Sequence, residues 1–241
     1  MLTSTPAHHA PRLSLPRRLI GTVVAPRATL ERVVALPQWM DVLVVSTLVI
    51  SGSTGVLLLT DVGQQAFVDE RVASVEAFGG RVTDADYLAW QASRGSAWWH
   101  VGLAIVVGVP LLVIVLARVV TLAFAAGGER APRRAVLGIV AHASVIGALQ
   151  SLVAMPLHFV RESLSGVTNL AALVPLFAEG SAGAVLLGTI DLFVIWQLAV
   201  LALGLSIAYE RPLLPVLAST LGLYGALALS LAALKSTLGG A

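Results

Sequence analysis

The chain has 241 residues, of which 57% are apolar and only 12% are charged, and its formal net charge is +2. Soluble domains carry about 25% charged residues, so this composition excludes an ordinary soluble domain and indicates a polytopic membrane protein. The arginines form no face or run that could follow a nucleic-acid backbone, and the lack of cysteine excludes disulfides and thiolate metal sites.

The N-terminal region divides into a polar segment and an amphipathic one. Residues 1–18 are polar, and we predict a disordered tail there, followed by a single membrane domain over residues 19–241. From Arg17 to Leu36, apolar residues on one side and arginines on the other are typical of a helix that lies in the cytoplasmic interface, interrupted at Pro26. A plain juxtamembrane linker is the alternative.

Five stretches are long and apolar enough to cross a hydrocarbon core of about 30 Å, which needs about 20 helical residues. Apart from Asp191, they contain no Asp, Glu, Lys or Arg, and they run Val42–Thr60, Trp99–Ala117, Ala135–Val160, Gly180–Tyr209 and Pro212–Leu234. We therefore predict an all-α bundle of five transmembrane helices at about residues 40–60, 98–125, 135–160, 181–208 and 212–234.

The outer loop of residues 61–97 is the only sizeable segment outside these spans. A helical pattern over residues 64–78 ends at Gly79 and Gly80. Thr83 and Asp86 have the spacing of a capping box, which predicts a second short helix over residues 84–92. The two amphipathic helices would form a lid or a docking element, or an inert connector. Leu170–Ala178 is apolar but too short to span, which indicates an interfacial or re-entrant piece.

The distribution of basic residues sets the predicted orientation, because cytoplasmic loops retain Lys and Arg. With the N-terminus inside, nine lie on the cytoplasmic side, namely Arg12, Arg17, Arg18, Arg27, Arg32, Arg130, Arg133, Arg134 and Arg211. Five lie opposite, namely Arg71, Arg81, Arg94, Arg161 and Lys235. An odd number of spans then leaves the C-terminus outside, in what we expect to be a bacterial cytoplasmic membrane.

Asp191 is the residue that most needs an explanation, since an ionisable group inside a span costs a few kcal/mol. It lies about 16 Å below the outer end of the fourth span at 1.5 Å per residue. Gln150 falls at a similar depth, so a contact of Asp191 with Gln150, or with a Ser or Thr, is expected rather than an ion pair with Arg118. A protonated carboxyl that donates a hydrogen bond, or a proton- or ion-coupled role, remains open.

The other intramembrane polar candidates are Gln197, His142 and Arg118. Arg118 lies near the cytoplasmic boundary, where its guanidinium can reach lipid phosphate. His142 and His158 fall at opposite ends of one span and cannot share a metal ion. No catalytic motif occurs, so we expect no enzyme activity, no metal and no cofactor.

Small residues recur every four positions in the last span, at Ala218, Gly222, Ala226 and Ser230. Such a row gives a smooth face on which another helix can approach closely. The partner helix would belong either to this chain or to another copy.

Four segments share a pattern with a known family, namely Pro26–Leu30, Pro37–Trp39, Ala141–Ser144, and Thr189–Trp196 with Gly204. They resemble bacterial members of the Yip-one domain family of five-span membrane proteins, and the likeness runs from about Leu19 onward. The resemblance implies a five-span fold and importance for Asp191, Trp196 and Gly204. Eukaryotic relatives are associated with Rab-type GTPases and membrane shaping, but their long cytoplasmic N-terminal region is absent here.

Two functions compete. The first is a non-catalytic scaffold or accessory protein that binds partner membrane proteins, itself or lipids, in membrane organisation or a trafficking-like process. The second is a small transporter or channel that uses the polar residues around Asp191. A hydrated cavity that reaches Asp191 would favour the second, and a dry core in which Asp191 bonds to its neighbours would favour the first.

Overall fold

The computed structural model describes residues 13–164, 166–173 and 181–238. Its helices are α1 (Leu15–Val24), α2 (Pro26–Ala35), α3 (Met40–Leu58), α4 (Asp61–Glu76), α5 (Asp84–Ser93), α6 (Ala97–Ala126), α7 (Arg133–Arg161), α8 (Leu170–Leu173), α9 (Ala182–Gly188), α10 (Leu192–Ala208) and α11 (Leu213–Leu238). The predicted all-α class is confirmed. Residues 174–180, which include most of the predicted interfacial or re-entrant piece, lie outside the described ranges.

Four helical runs in the described ranges are long and apolar enough to cross a membrane. They are Met40–Leu58, Asp84–Ala126, Arg133–Arg161 and Leu213–Leu234. The second run joins α5, a 3-10 turn and α6. α10 is apolar but shorter, at 17 residues. These runs make the chain an integral membrane protein.

Helix α7 lies at the centre of the bundle. It packs against α3, α6 and α10, and also against α1 and α2. Its N-terminal half is buried almost continuously, with Ile139 and Ile146 fully enclosed. By contrast, α6 and α11 expose long rows of Leu and Val, as expected for helices that face lipid tails. Burial therefore identifies α7 as the core helix.

The N-terminal helices are part of the bundle. The predicted interruption at Pro26 is confirmed, since α1 ends at Val24 and Pro26 begins α2, where a proline is tolerated. Leu30 and Val33 of α2 are buried, and α2 packs on α7 and α10. α1 begins at Leu15, within the predicted tail of residues 1–18, and residues 1–12 lie outside the described ranges.

Arg18 faces the opposite way to the prediction. Its side chain is buried on the inner face of α1, where it forms a bidentate ion pair with Asp41 and donates to the Gln38 carbonyl at 3.0 Å. On its outer face α1 exposes Arg17 together with Ile20 and Val24. An arginine with this many acceptors can be buried, and the ion pair ties α1 to the first turn of α3.

The two helices of the 61–97 segment are present. The capping box predicted from Thr83 and Asp86 is confirmed, with the Thr83 hydroxyl accepting from the Asp86 N–H at 3.2 Å. Gly79, at φ +75°, follows the end of α4 as predicted. The Arg71 guanidinium lies 4.4 Å from the centre of the Trp90 ring and so joins α4 to α5.

The fourth predicted span is broken, which corrects the prediction of one helix over residues 181–208. α9 ends at Gly188 and α10 starts at Leu192, with Thr189, Ile190 and Asp191 between them. An isolated antiparallel β-bridge pairs Asp191 with Asn169 at this point. Hydropathy did not predict the break, because it depends on side-chain polarity and carries no information on whether the backbone stays helical.

Candidate functional site: the helix break at Asp191

Asp191 caps the N-terminus of α10. Its Oδ1 accepts from the backbone N–H of Phe193 at 2.8 Å and of Val194 at 3.1 Å. A helix leaves its first N–H groups without intrahelical partners, and Asp is among the residues that best satisfy them. Asp191 therefore stabilises the start of a helix inside the bundle.

The second carboxylate oxygen binds two side chains. Oδ2 accepts from Gln150 Nε2 of α7 at 2.9 Å and from the Thr168 hydroxyl. Gln150 Nε2 also lies 2.9 Å from Thr168 Oγ1. The contact of Asp191 with Gln150, expected from depth along the spans, is confirmed, and Thr168 supplies the contact with a Ser or Thr that was the alternative. These donors join α7, the segment before α8 and the break.

The backbone of the break is also satisfied. The Tyr224 hydroxyl of α11 accepts from the Asp191 N–H at 3.1 Å and donates to the Thr189 carbonyl at 2.9 Å. Leu170 N–H donates to the Ile190 carbonyl at 2.8 Å. Backbone groups without partners are costly in hydrocarbon, so these bonds explain how the helix can be interrupted here.

The donors around the Asp191 carboxyl group are neutral. Two backbone N–H groups, one amide and one hydroxyl surround it, and its partners among the described residues include no Lys or Arg. The arrangement suits a fixed acceptor of hydrogen bonds.

A cleft reaches the same carboxylate. It has a volume of about 410 Å³, lies between α3, α7 and the segment before α8, and is partly open. The hydroxyls of Ser53 and Ser151 lie 3.0 Å apart in its wall, and His158 Nδ1 lies 2.7 Å from the Ser163 carbonyl. Most of the lining surface is apolar, and Asp191 contributes one of its polar groups, whose oxygens are already bonded.

The structure separates the remaining polar candidates from Asp191. Gln197 of α10 lies beside Gly147 of α7. Gly147, but not Gln197, lines the cleft. His142 is fully buried on α7, with Nδ1 2.7 Å from the Gly138 carbonyl. Arg118 is exposed on α6. The five predicted residues therefore form a joined pair, Asp191 with Gln150, and three separate side chains.

The small-residue row of α11 faces away from the rest of the described chain. Ala218, Gly222, Ala226 and Ser230 are all exposed. A Cβ built on Gly222 would meet no described atom within 4 Å. A helix of this chain or of another copy was expected as the partner of this row, and the described part of this chain supplies no such helix. Association with another copy or another protein stays a prediction.

Two residues of the site were missed in the sequence. Thr168 lies in the connection between α7 and α8, and Tyr224 lies in the middle of the last span. Nothing local to either residue indicated a role, since both act on a break that was not predicted. A signal for the break itself existed: an Asp directly before Leu192, Phe193 and Val194 is a typical helix start.

Among the described residues, no three His, Asp or Glu side chains cluster as metal ligands.

The comparisons with known proteins leave the family open. No protein-family model, curated protein or solved structure matches the chain. The resemblance to Yip-one domain proteins therefore stays a prediction.

Proposed function

We propose that the chain is a non-catalytic integral membrane protein that acts by binding other membrane proteins, a second copy of itself or lipids. The main support is that the two carboxyl oxygens of Asp191 accept hydrogen bonds from four donors of the same chain. Its most unusual intramembrane group thus has a structural task. The exposed face of α11 supports a binding role but does not by itself select the partner.

The proposed topology has five membrane crossings, with α9 and α10 together forming the fourth. α9 adds seven residues to the 17 of α10, which brings the pair to the length of a span. The N-terminus would be cytoplasmic and the C-terminus outside, in a bacterial cytoplasmic membrane, in line with the Yip-one resemblance. Single cysteines at Ser93 and Ala131 test this with an impermeant label on intact cells. Labelling at Ser93 alone is expected, and labelling at Ala131 alone would contradict the orientation.

The binding function is tested by isolating the protein from native membranes in mild detergent and measuring its oligomers and co-purifying proteins. Gly222→Leu should remove a bound copy or a defined partner by placing a large side chain on the small-residue row. Gly52→Leu on α3 is the matched control, because Gly52 also has open space around it but lies outside that row. Identical profiles for the parent and both variants would contradict binding through α11.

A transporter or channel is the second candidate, supported by the cleft at Asp191 and by the broken helix. Interrupted helices beside a cavity occur in transporters, where freed backbone groups bind the substrate. Here the freed groups of Thr189, Ile190 and Asp191 bind Tyr224 and Leu170 instead. That pairing favours the structural role.

A further inference from the structure

A groove lies between the C-terminal end of α6 and the N-terminal end of α11. Its volume is about 520 Å³, and its apolar walls include Ala123 and Phe124 of α6 and Pro215 and Val216 of α11. Phe124 stacks on Tyr209 with ring centres 3.9 Å apart, which closes the inner side of the groove. The other side opens where lipid would lie.

One end of the groove is charged. Arg211 lies two residues before the start of α11 and forms an ion pair with Glu129, which follows α6. The Arg211 side chain is 53% exposed, so its guanidinium remains accessible beside the pair. Because the two residues flank the ends of membrane helices, they fall at the level of lipid headgroups.

The local structure fixes the position of Arg211. Glu210 has a left-handed backbone, at φ 52°, and the Arg211 N–H donates to the Ser206 carbonyl at 2.9 Å. This bond closes the end of α10 in the manner of a Schellman motif. Arg211 is therefore held at the mouth of the groove, next to the first turn of α11, whose dipole also attracts anions.

The surroundings are basic. Arg130, Arg133 and Arg134 are exposed in the connection between α6 and α7 and on the first turn of α7. With Arg211 they make four arginines in the two connections at this end, against the two carboxylates Glu129 and Glu210. A net positive headgroup region beside an apolar groove complements a lipid with an anionic head.

We propose that this groove binds an anionic phospholipid, with one acyl chain along Phe124, Pro215 and Val216 and the phosphate at Arg211. Glu129 competes with the phosphate for the guanidinium and so limits the affinity. The proposal rests on the proposed membrane-embedded binding function and names one ligand of it.

The test is lipid binding to the purified full chain in detergent, followed by native mass spectrometry. The chain is mixed with phosphatidylglycerol, with phosphatidylcholine of the same acyl chains, or with phosphatidylglycerol and an excess of inorganic phosphate. The parent should bind phosphatidylglycerol in preference to phosphatidylcholine, and inorganic phosphate should not replace it. Equal binding of the two lipids, or displacement by inorganic phosphate, would overturn the proposal.

Four variants assign the site. Arg211→Gln should weaken phosphatidylglycerol binding about fivefold, as expected for one arginine at a membrane surface. Glu129→Gln should strengthen it, because the competing carboxylate is removed. Ala123→Trp should fill the groove and reduce the binding of both lipids. Arg27→Gln is the control, since Arg27 is exposed and paired with Glu31 on α2.

Unchanged lipid binding in Arg211→Gln, Glu129→Gln and Ala123→Trp would overturn this site. It would leave untouched the outcome of the Gly222→Leu isolation experiment, which tests the proposed binding function separately. If Arg211→Gln does not fold, the site is still tested by the other two variants, because Glu129→Gln should strengthen lipid binding and Ala123→Trp should weaken it.

Discussion

Gly204 of α10 and Gly222 of α11 lie in neighbouring apolar helices, yet their surroundings differ completely. A Cβ on Gly204 would lie 3.1 Å from Ile139 Cγ1 and closer still to Cγ2, so this glycine allows α10 to approach α7. A Cβ on Gly222 would meet no described atom within 4 Å. A small residue in a membrane helix therefore permits close packing, but its spacing in the sequence does not say where the partner is.

The largest effect is expected from Gly204→Leu, which would sharpen this comparison. The added side chain has no room beside Ile139, and overpacking of this kind costs about 3 kcal/mol. The melting temperature in detergent should fall by several degrees. Gly222→Leu, measured in the same detergent under conditions that keep the chain monomeric, should melt like the parent. Equal melting temperatures for the two variants would break the comparison.

A second loss of stability is expected at the helix break. Asp191 caps the start of α10, just as Gly204 allows α10 to pack on α7. Asp191→Leu removes the acceptor of the Phe193 and Val194 N–H groups and of Gln150. We expect a loss of about 2 kcal/mol, the combined effect of a missing cap and unpaired donors. Asp61→Leu, in the exposed first turn of α4, is the control and should change stability by less than about 0.5 kcal/mol. The account fails here if both variants unfold at the same denaturant concentration as the parent.

A smaller loss is expected from Tyr224→Phe, which tests how the face of α11 that contacts the chain differs from the exposed row. The substitution leaves the Asp191 N–H and the Thr189 carbonyl without the hydroxyl between them, at a cost of about 1 kcal/mol. Tyr87→Phe in α5 removes a hydroxyl from an exposed site and serves as the control. Hydrogen exchange at residues 189–191 should accelerate in the first variant alone, and unchanged exchange would contradict the role of Tyr224.

The smallest effect, and one of opposite sign, is expected at the connection between α10 and α11. Glu210 has φ 52°, where glycine is more stable than other residues. Glu210→Gly should therefore raise stability by about 0.5 kcal/mol. Glu31→Gly, in the regular helix α2, should lower it by a similar amount. Thermal unfolding of the two variants side by side measures this difference, and a change of the same sign in both would contradict it.

Much of the helical architecture could be predicted from hydropathy and helix-end signals. The capping box at Thr83 and the break at Pro26 depend on neighbouring residues, and both are present. The partners of Asp191 could be predicted only in part. Depth along two spans indicated Gln150, but Thr168 and Tyr224 come from segments whose positions depend on the whole bundle. The inward orientation of Arg18 likewise depends on Asp41, 23 residues later in the chain.

The most direct test of the central claim, that Asp191 is a structural acceptor of hydrogen bonds, is a paired measurement on Asp191→Asn. Asn keeps one carbonyl oxygen for the Phe193 and Val194 N–H groups and caps helices as well as Asp does, but it cannot carry a proton or a charge. Its Nδ2 takes the place of Oδ2, where it can donate to the Thr168 hydroxyl oxygen and to Gln150 Oε1 once the Gln150 amide is rotated. The parent and the variant are reconstituted into vesicles that contain a pH-sensitive dye, and their melting temperatures are recorded in parallel. The account predicts similar melting temperatures and equal retention of an imposed pH gradient. A parent that dissipates the gradient, with a folded Asn variant that does not, would contradict the structural role and establish Asp191 as a carrier of protons.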